Sequence, residues 1–428
     1  MFTKQTIRDI DVHGKVVLLR ADYNVPIEKG KITDDYRIKQ SLPTIEYLLG
    51  RGAKLIICSH LGRPTGPNDT ANSLFPVAKR LKELLKRDVE FVPDCVGDRA
   101  EKAAAKLQNG EVLLLENLRF HAEEEKNDEA FAKQLASLAD VFVQDGFGVV
   151  HRAHASTEGV THFLPSVAGL LLEKEVDTIT NVMHKPERPL AAIIGGAKIA
   201  DKIDILHRFI ELADFVAIGG AMANTFLVAE GIDVAQSLYD KADLPVAKDI
   251  LRKARAEAKK RRFIFAIPRD GVVAHKVDKS VPTRIVDWSA HVIADIENYP
   301  HRPPTRASHI LWQEMILDIG PFSGSFIAGG VQLANTVVWN GTMGVTETDG
   351  LQGPVGPYAH GTELVIEALL GQFGHKPFTV VGGGDTVGYI ENRGLVPYFG
   401  HVSTGGGASL ELMAGRKLPG VEALQDKK

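Results

Sequence analysis

Two sets of residues in this sequence have types and spacings suited to handling anions. The first is basic: Arg20 with Asp22 and Asn24, Arg37, His60 and Arg63 in SHLGRP, Arg119 in ENLRFH, and His151, Arg152 and His154 in HRAHAS. A planar guanidinium matches carboxylate and phosphate oxygens two at a time, so several arginines at strand ends would hold a small polyanion. One arginine alone is most often a solvated surface residue; the repetition is what points to a site. His151 and His154 lie three apart, a spacing that suits a metal. No third ligand accompanies them, which favours anion contact or a local hydrogen bond.

The second set is rich in glycine. In GGAKIADK, Gly195 to Lys202, an apolar run ends on two glycines and a helical pattern begins. Glycine lets backbone N–H groups approach phosphate, and a helix N-terminus adds positive potential. Lys198 and Lys202, four apart, are predicted to share one helical face. GGAMANTF, containing Gly220, repeats the design. So does VVGGGDT, in which Asp385 could hold Mg²⁺ as nucleotide sites require. HVSTGGGASLEL adds another glycine-rich start. A single glycine pair only punctuates a loop, but four turns opening toward helices point to phosphate.

The elements that must position these residues are legible as a pattern. Short apolar, β-branched runs recur at 16–19, 55–58, 112–115, 141–143, 191–194, 215–218, 263–267, 336–339 and 378–381, and read as buried parallel strands. Amphipathic segments at 75–87, 129–139, 202–213, 245–261 and 362–373 alternate with them. That alternation predicts an α/β fold with helices on both faces of parallel sheets, and in such sheets ligands bind at the carboxyl ends of the strands. Strand endings before residue 165 are rich in Arg, His and Asp, and those after 190 in Gly, Lys and Asp. Residues 166–181 have helical spacing and precede MHKPERP. They read as a helix joining an anion domain to a nucleotide domain, with a crossover helix inside one sheet as the alternative. Tyr299 to Ser308, with three prolines, is the expected long loop.

Composition narrows the class. With 428 residues, 44% hydrophobic and 24% charged, the chain suits about two globular domains. A net charge of -4 gives no general field for nucleic acid. Cys58 and Cys95 lack C-x-x-C spacing, which argues against a disulfide scaffold or a cysteine zinc site. The start has no apolar leader-like run and no stretch approaches the roughly 20 residues of a spanning helix, so the cytoplasm is expected. There is no P-loop signature, and no G-x-G-x-x-G opening a helix.

LLRADYNVP, SHLGRP, ENLRFH, DGFGVVHRAHAS, GGAKIADKI, VVGGGDT and STGGGASLEL occur in one order, and the chain closely resembles the phosphoglycerate kinase family along nearly its whole length. The resemblance implies two Rossmann-like domains joined by an interdomain helix: 1–165 completed by 400–428, the helix 166–184, and 185–399. It implies reversible transfer between 1,3-bisphosphoglycerate and ADP, giving 3-phosphoglycerate and ATP with Mg²⁺, by a monomer whose domains close about a hinge. Asp22, Asn24, Arg37, His60, Arg63, Arg119 and Arg152 match the family's phosphoglycerate site. Gly195, Lys198, Lys202, Gly220, Asn340, Glu347, Gly383, Gly384, Asp385 and Thr386 fall in its nucleotide site, with Asp385 on the metal and Glu347 on the ribose. Arg37 and Lys202 are expected at the transferring group, assisted by N–H groups at Gly382 and Gly405. Thr342, Thr346 and Ala221 depart from the family's usual Pro, Phe and Gly, a change expected to touch nucleotide affinity rather than reaction type. Asn298 to Gln313 is longer than the usual connection. An acetate-kinase-like transferase or a dehydrogenase would share the α/β pattern without the paired basic and glycine-rich halves. A non-catalytic nucleotide binder would have lost Arg37, Lys202 or Asp385, and all three are present.

Overall fold

Strands covered by helices on both faces need apolar side chains at every position, and the first sheet shows why its runs do not alternate. In the computed structural model, which describes residues 2–288, 309–351, 353 and 355–427, the chain forms two units: Met1–Asn181 with Thr404–Lys428, and Val182–Ser403. The first unit begins with β1 (Val16–Arg20), a short hairpin of β2 (Ile27–Glu28) and β3 (Lys31–Ile32), and α1 (Tyr36–Gly50). Next come β4 (Lys54–Cys58), α2 (Phe75–Leu85), β5 (Val89–Val92) and α3 (Asp98–Lys106). They are followed by β6 (Val112–Leu115), α4 (Glu129–Ala136), β7 (Val141–Gln144), β8 (Ser166–Ala168) and α5 (Leu170–His184). The sheet is parallel, in the order β5-β6-β4-β1-β7-β8. Val17, Leu19, Leu55 and Ile57 pack on one face with Ile45 and Leu48 of α1 and Leu81 of α2. Leu18, Ile56, Leu113 and Phe142 pack on the other with Ala100 of α3 and Phe131 and Leu135 of α4. Each such side chain contributes about 1.5 to 3 kcal/mol by leaving water.

The expected helix from residue 166 starts later. Ser166–Ala168 pairs with β7 as the last strand of the sheet, and α5 begins at Leu170. Local spacing is overruled by two long-range interactions: an open sheet edge beside β7, and Asp145, whose Oδ1 accepts hydrogen bonds from the Leu171 and Leu172 N–H groups and so starts the helix there. Burial pushes the Asp145 carboxyl up to about 7.

The second unit repeats the plan with β9 (Leu190–Ile194), α6 (Ile203–Leu212), β10 (Phe215–Ile218), α7 (Met222–Ala229), α8 (Leu244–Ala258) and β11 (Ile264–Ala266). A small antiparallel sheet of β12 (Asp270–Ala274), β13 (Arg284–Asp287) and β14 (Met315–Ile319), absent from the strand pattern above, is inserted here. Then follow α9 (Pro321–Gln332), β15 (Thr336–Asn340), α10 (His360–Leu369), β16 (Phe378–Gly382), α11 (Gly384–Asn392) and β17 (His401–Val402). The main sheet, again parallel, has the order β11-β10-β9-β15-β16-β17. The chain re-enters the first unit with α12 (Gly406–Met413) and α13 (Pro419–Glu422). There Gln425 N–H donates to Ser166 O at 3.0 Å and Gln5 N–H to Gln425 O at 2.7 Å. The expected loop Tyr299–Ser308, and with it most of the long connection, lies outside the described residues.

Candidate active site

The basic residues come together because they follow the carboxyl ends of neighbouring strands. Arg20 ends β1, His60 follows β4, Arg119 sits in the single turn Leu118–Phe120 after β6, and Arg152 lies in the loop after β7. These four strands adjoin in the sheet. Arg37 comes from the first turn of α1; it donates to Asn24 O at 2.7 Å and stands 3.6 Å from Asp22 Oδ2. Asn24 Oδ1 accepts from Gly62 N–H at 2.9 Å, and Arg119 donates to Gly62 O at 2.8 Å. One loop backbone thus ties Asn24 to Arg119. Arg63 and Arg152 are exposed, the latter donating to His151 Nε2 at 3.2 Å.

Beneath this surface lies a polar layer. Arg20, 1% exposed, donates through Nε to Ser156 Oγ at 2.8 Å and approaches His60 Nδ1 through Nη2 at 3.3 Å. Glu124, fully buried, accepts from Ser156 Oγ at 2.5 Å and from its N–H at 2.9 Å. Burial raises the Glu124 carboxyl above its usual range, against the pull of Arg20. Burial, followed by Arg20, Arg119, Arg37 and Arg152, holds His60 well below the usual imidazole value. His154, pushed down to about 4 first by burial and then by Arg119, is likewise a neutral group here. Glu124 and Ser156 escaped sequence reasoning: Glu124 is the middle of three consecutive glutamates, a run that reads as solvated, and only its tertiary position buries it.

In the second unit β10, β9, β15 and β16 adjoin and end in the glycine turns. A side chain at Gly195 is impossible, since its Cβ would fall 2.0 Å from Thr342 O. Gly383 has φ +94°, in the region glycine favours, and caps α11, whose first residues are Gly384 and Asp385. Thr386 Oγ1 accepts from Gly341 N–H at 2.9 Å and so ties α11 to the end of β15. Lys202 donates to Gly195 O at 2.5 Å, Asn340 O at 3.0 Å and Asn340 Oδ1 at 2.7 Å. Its burial pulls the ammonium down to about 8. Lys198 does not share a helical face with it. The segment after Gly196 is irregular, Ala200–Lys202 is a single 3₁₀ turn, and α6 starts only at Ile203. Lys198 is exposed in that irregular stretch, whereas Lys202 reaches the Gly195 and Asn340 carbonyls.

Glu347 and Asp385 line a cavity of about 230 Å³ together with Gly220, Ala221, Leu317 and Met343. Thr342 donates its hydroxyl to Gly344 O at 3.0 Å, a bond proline could not make. Gly382 ends β16, whereas Gly405 precedes α12 in the other unit. Among the described residues one group, Asp94, Cys95 and His121, gathers metal-type ligand atoms within 4.8 Å. Asp94 Oδ1 already accepts from His121 Nε2 at 2.8 Å and from Cys95 N–H at 2.7 Å. Burial pushes the Cys95 thiol well above its ordinary value.

A family model described as phosphoglycerate kinase matches residues 7–416. The chain belongs to the phosphoglycerate kinase family. The phosphoglycerate kinase of Moorella thermoacetica is 48% identical over 424 residues, covering 99% of this chain and 100% of that one. Among solved structures, the phosphoglycerate kinase of Pyrococcus horikoshii matches with a TM-score of 0.81 at 31% identity over 99% of this chain and 98% of that one. That of Coxiella burnetii matches with 0.79 at 32% identity over 98% of each. The activity of the chain is the glycolytic phosphoryl transfer of a phosphoglycerate kinase, as the ordered motifs implied. Among the described residues no helix is long and apolar enough to cross a membrane.

Proposed function

We propose that the two clusters divide this reaction, 1,3-bisphosphoglycerate and ADP giving 3-phosphoglycerate and ATP. Asp22, Asn24, Arg37, His60, Arg63, Arg119 and Arg152 take the phosphoglycerate. Gly195, Lys198, Lys202, Gly220, Asn340, Glu347, Gly383, Gly384, Asp385 and Thr386 take the nucleotide, with Glu347 on the ribose. The observation that carries this reading is the chemistry of adjoining strand ends: Arg and His on one parallel sheet, glycine turns and Lys202 on the other.

Both substrates are anions, and charge in the loose transition state spreads over the moving group's oxygens, so the protein contributes positioning and fixed positive groups. Arg37 and Lys202 meet that group, with the N–H groups of Gly382 and Gly405 adding dipoles. All three ammonium hydrogens of Lys202 are satisfied by oxygens. Lys202 therefore exchanges at least one of them for a phosphoryl oxygen, a step that moves no covalent bond. Asp385 suits Mg²⁺, because it is an exposed hard oxygen donor beside a phosphate turn. When bound, the ion offsets phosphate charge. Because the clusters belong to separate units and reacting atoms must come within about 3 to 3.5 Å, the units close on each other during turnover. The enzyme acts as a cytoplasmic monomer on small molecules, in keeping with a net charge of -4 that attracts no nucleic acid.

A coupled assay of ATP- and 3-phosphoglycerate-dependent ADP formation tests the reading. Turnover that requires both substrates is expected; ATP hydrolysis indifferent to 3-phosphoglycerate would overturn it. Closure is checked by small-angle scattering, which should give a smaller radius of gyration with both ligands than with either alone.

A further inference from the structure

We infer that Arg20, held from below by Ser156 and Glu124, locks His60 in the tautomer that carries its proton on Nε2 and so makes His60 an obligate hydrogen-bond donor toward the ligand. The ligand half of this inference rests on the proposal that His60 touches 3-phosphoglycerate. The tautomer half rests on the direction of a buried hydrogen-bond chain.

That direction follows from what each group can give. Glu124 accepts both the N–H and the hydroxyl hydrogen of Ser156. The serine has one hydroxyl hydrogen, now used, so Oγ faces Arg20 Nε as an acceptor, at 2.8 Å. A guanidinium can only donate. Its Nη2 lies 3.3 Å from His60 Nδ1, so Nδ1 must offer its lone pair. A neutral imidazole with a free pair on Nδ1 carries its hydrogen on Nε2. Turning the ring over would set a C–H against the guanidinium and lose the bond, which decides the ring orientation as well. Among the described residues no protein group bonds to His60 Nε2.

The imidazolium alternative is opposed by burial and by four arginines, which outweigh the one carboxylate that faces His60. Arg20 on β1, Arg37 on α1, Arg119 after β6 and Arg152 after β7 all oppose a positive ring, and the ring is buried. The carboxylate facing it, Asp22, has Oδ1 4.0 Å from Nδ1 and Oδ2 3.6 Å from Arg37.

The consequence is a matter of sign. An anionic ligand presents oxygen lone pairs; the Nε2–H tautomer offers them a donor, and the other tautomer would oppose them with a lone pair. Arg20 is thus a positioning residue that acts through His60, although its own head is sealed from the ligand. Ser156 and Glu124 keep it aimed.

The test is ¹⁵N NMR of the full-length protein labelled at histidine, without substrate, from pH 6 to 8, with His60 assigned by the loss of its signals in His60→Ala. The expected result is an unprotonated Nδ1 and a protonated Nε2 throughout. A proton on Nδ1, or an imidazolium at pH 6, would overturn the lock whatever the kinetics show. Arg20→Lys retains a donor and should keep the Nε2–H signature, whereas Ser156→Ala, which removes the aiming contact with little change in volume, should mix the tautomers. Ser156→Ala should also raise KM for 3-phosphoglycerate while leaving that for ATP alone, by up to about a hundredfold if the charged bond is fully lost. If the lock is seen but His60→Ala leaves KM for 3-phosphoglycerate unchanged, the ligand role of His60 is refuted; if His60→Ala raises that KM but Nδ1 is protonated, the relay is refuted and the binding site stands.

Discussion

In the basic cluster positive charge sits on several side chains; in the glycine turns it sits on backbone N–H groups and one half-buried lysine. The arginine heads lean on carboxylates, Arg37 3.6 Å from Asp22 and Arg119 3.0 Å from Glu125. Among the described residues, Lys202 has only carbonyl and amide oxygens within hydrogen-bond reach. A guanidinium keeps its charge even when partly buried, but an ammonium loses affinity for its proton as water is removed. The two regions therefore differ in what disturbs them: the first depends on how many arginines remain, the second on whether a single group stays protonated.

The largest expected effect is at that single group. Lys202→Ala should lower kcat by on the order of 10³ or more, the scale of other cationic contacts to a transferring phosphoryl group. A variant with more than about a tenth of wild-type kcat would take Lys202 out of the mechanism. The same residue predicts a pH profile. Its folded pKa, about 8, lies below the ordinary lysine value of 10.5, so the required cation is present below pH 8 and lost above it. Activity limited by Lys202 should fall about tenfold per unit once pH passes 8. A kcat unchanged between pH 7 and 9.5 would contradict that dependence, and Lys202→Arg should flatten whatever fall is seen.

Single losses from the basic cluster should be smaller and fall on one substrate. Arg63→Ala or Arg152→Ala should raise KM for 3-phosphoglycerate by about ten- to a hundredfold, the cost of one charge-assisted bond, with KM for ATP nearly constant. Equal weakening of both substrates in steady-state kinetics would erase the distinction between the regions. The smallest effect belongs to Asp385→Asn, which keeps shape but removes the charge that attracts the cation. A magnesium titration of activity should move to higher concentration by several-fold, and an unmoved titration would place the ion elsewhere.

The two regions were also unequally legible. All nine apolar runs gave strands, most of them because burial on both faces leaves a local mark, although Ile264–Ala266 is an edge strand with exposed and half-buried positions. Val89–Val92 left a weaker one: it is an edge strand with partly exposed positions. The antiparallel sheet containing Asp270–Ala274 lay in sequence that carried no clear alternation. The glycine turns were readable as strand endings by composition, yet spacing misjudged Lys198, because a helical repeat was assumed where the chain makes one 3₁₀ turn.

What the amino-acid order determined by itself was the inventory: which strands are buried, where arginines and glycines punctuate their ends, and the family those motifs belong to. Tertiary structure decided the pairings that give those residues their chemistry. Arg20 finds Ser156 across 136 positions, and Lys202 finds Asn340 across 138. Of Glu123, Glu124 and Glu125, only the middle carboxylate is turned inward. Local periodicity reports whether a side chain is apolar and how often it recurs; it holds no information about a partner brought near by strands that adjoin only in the folded sheet.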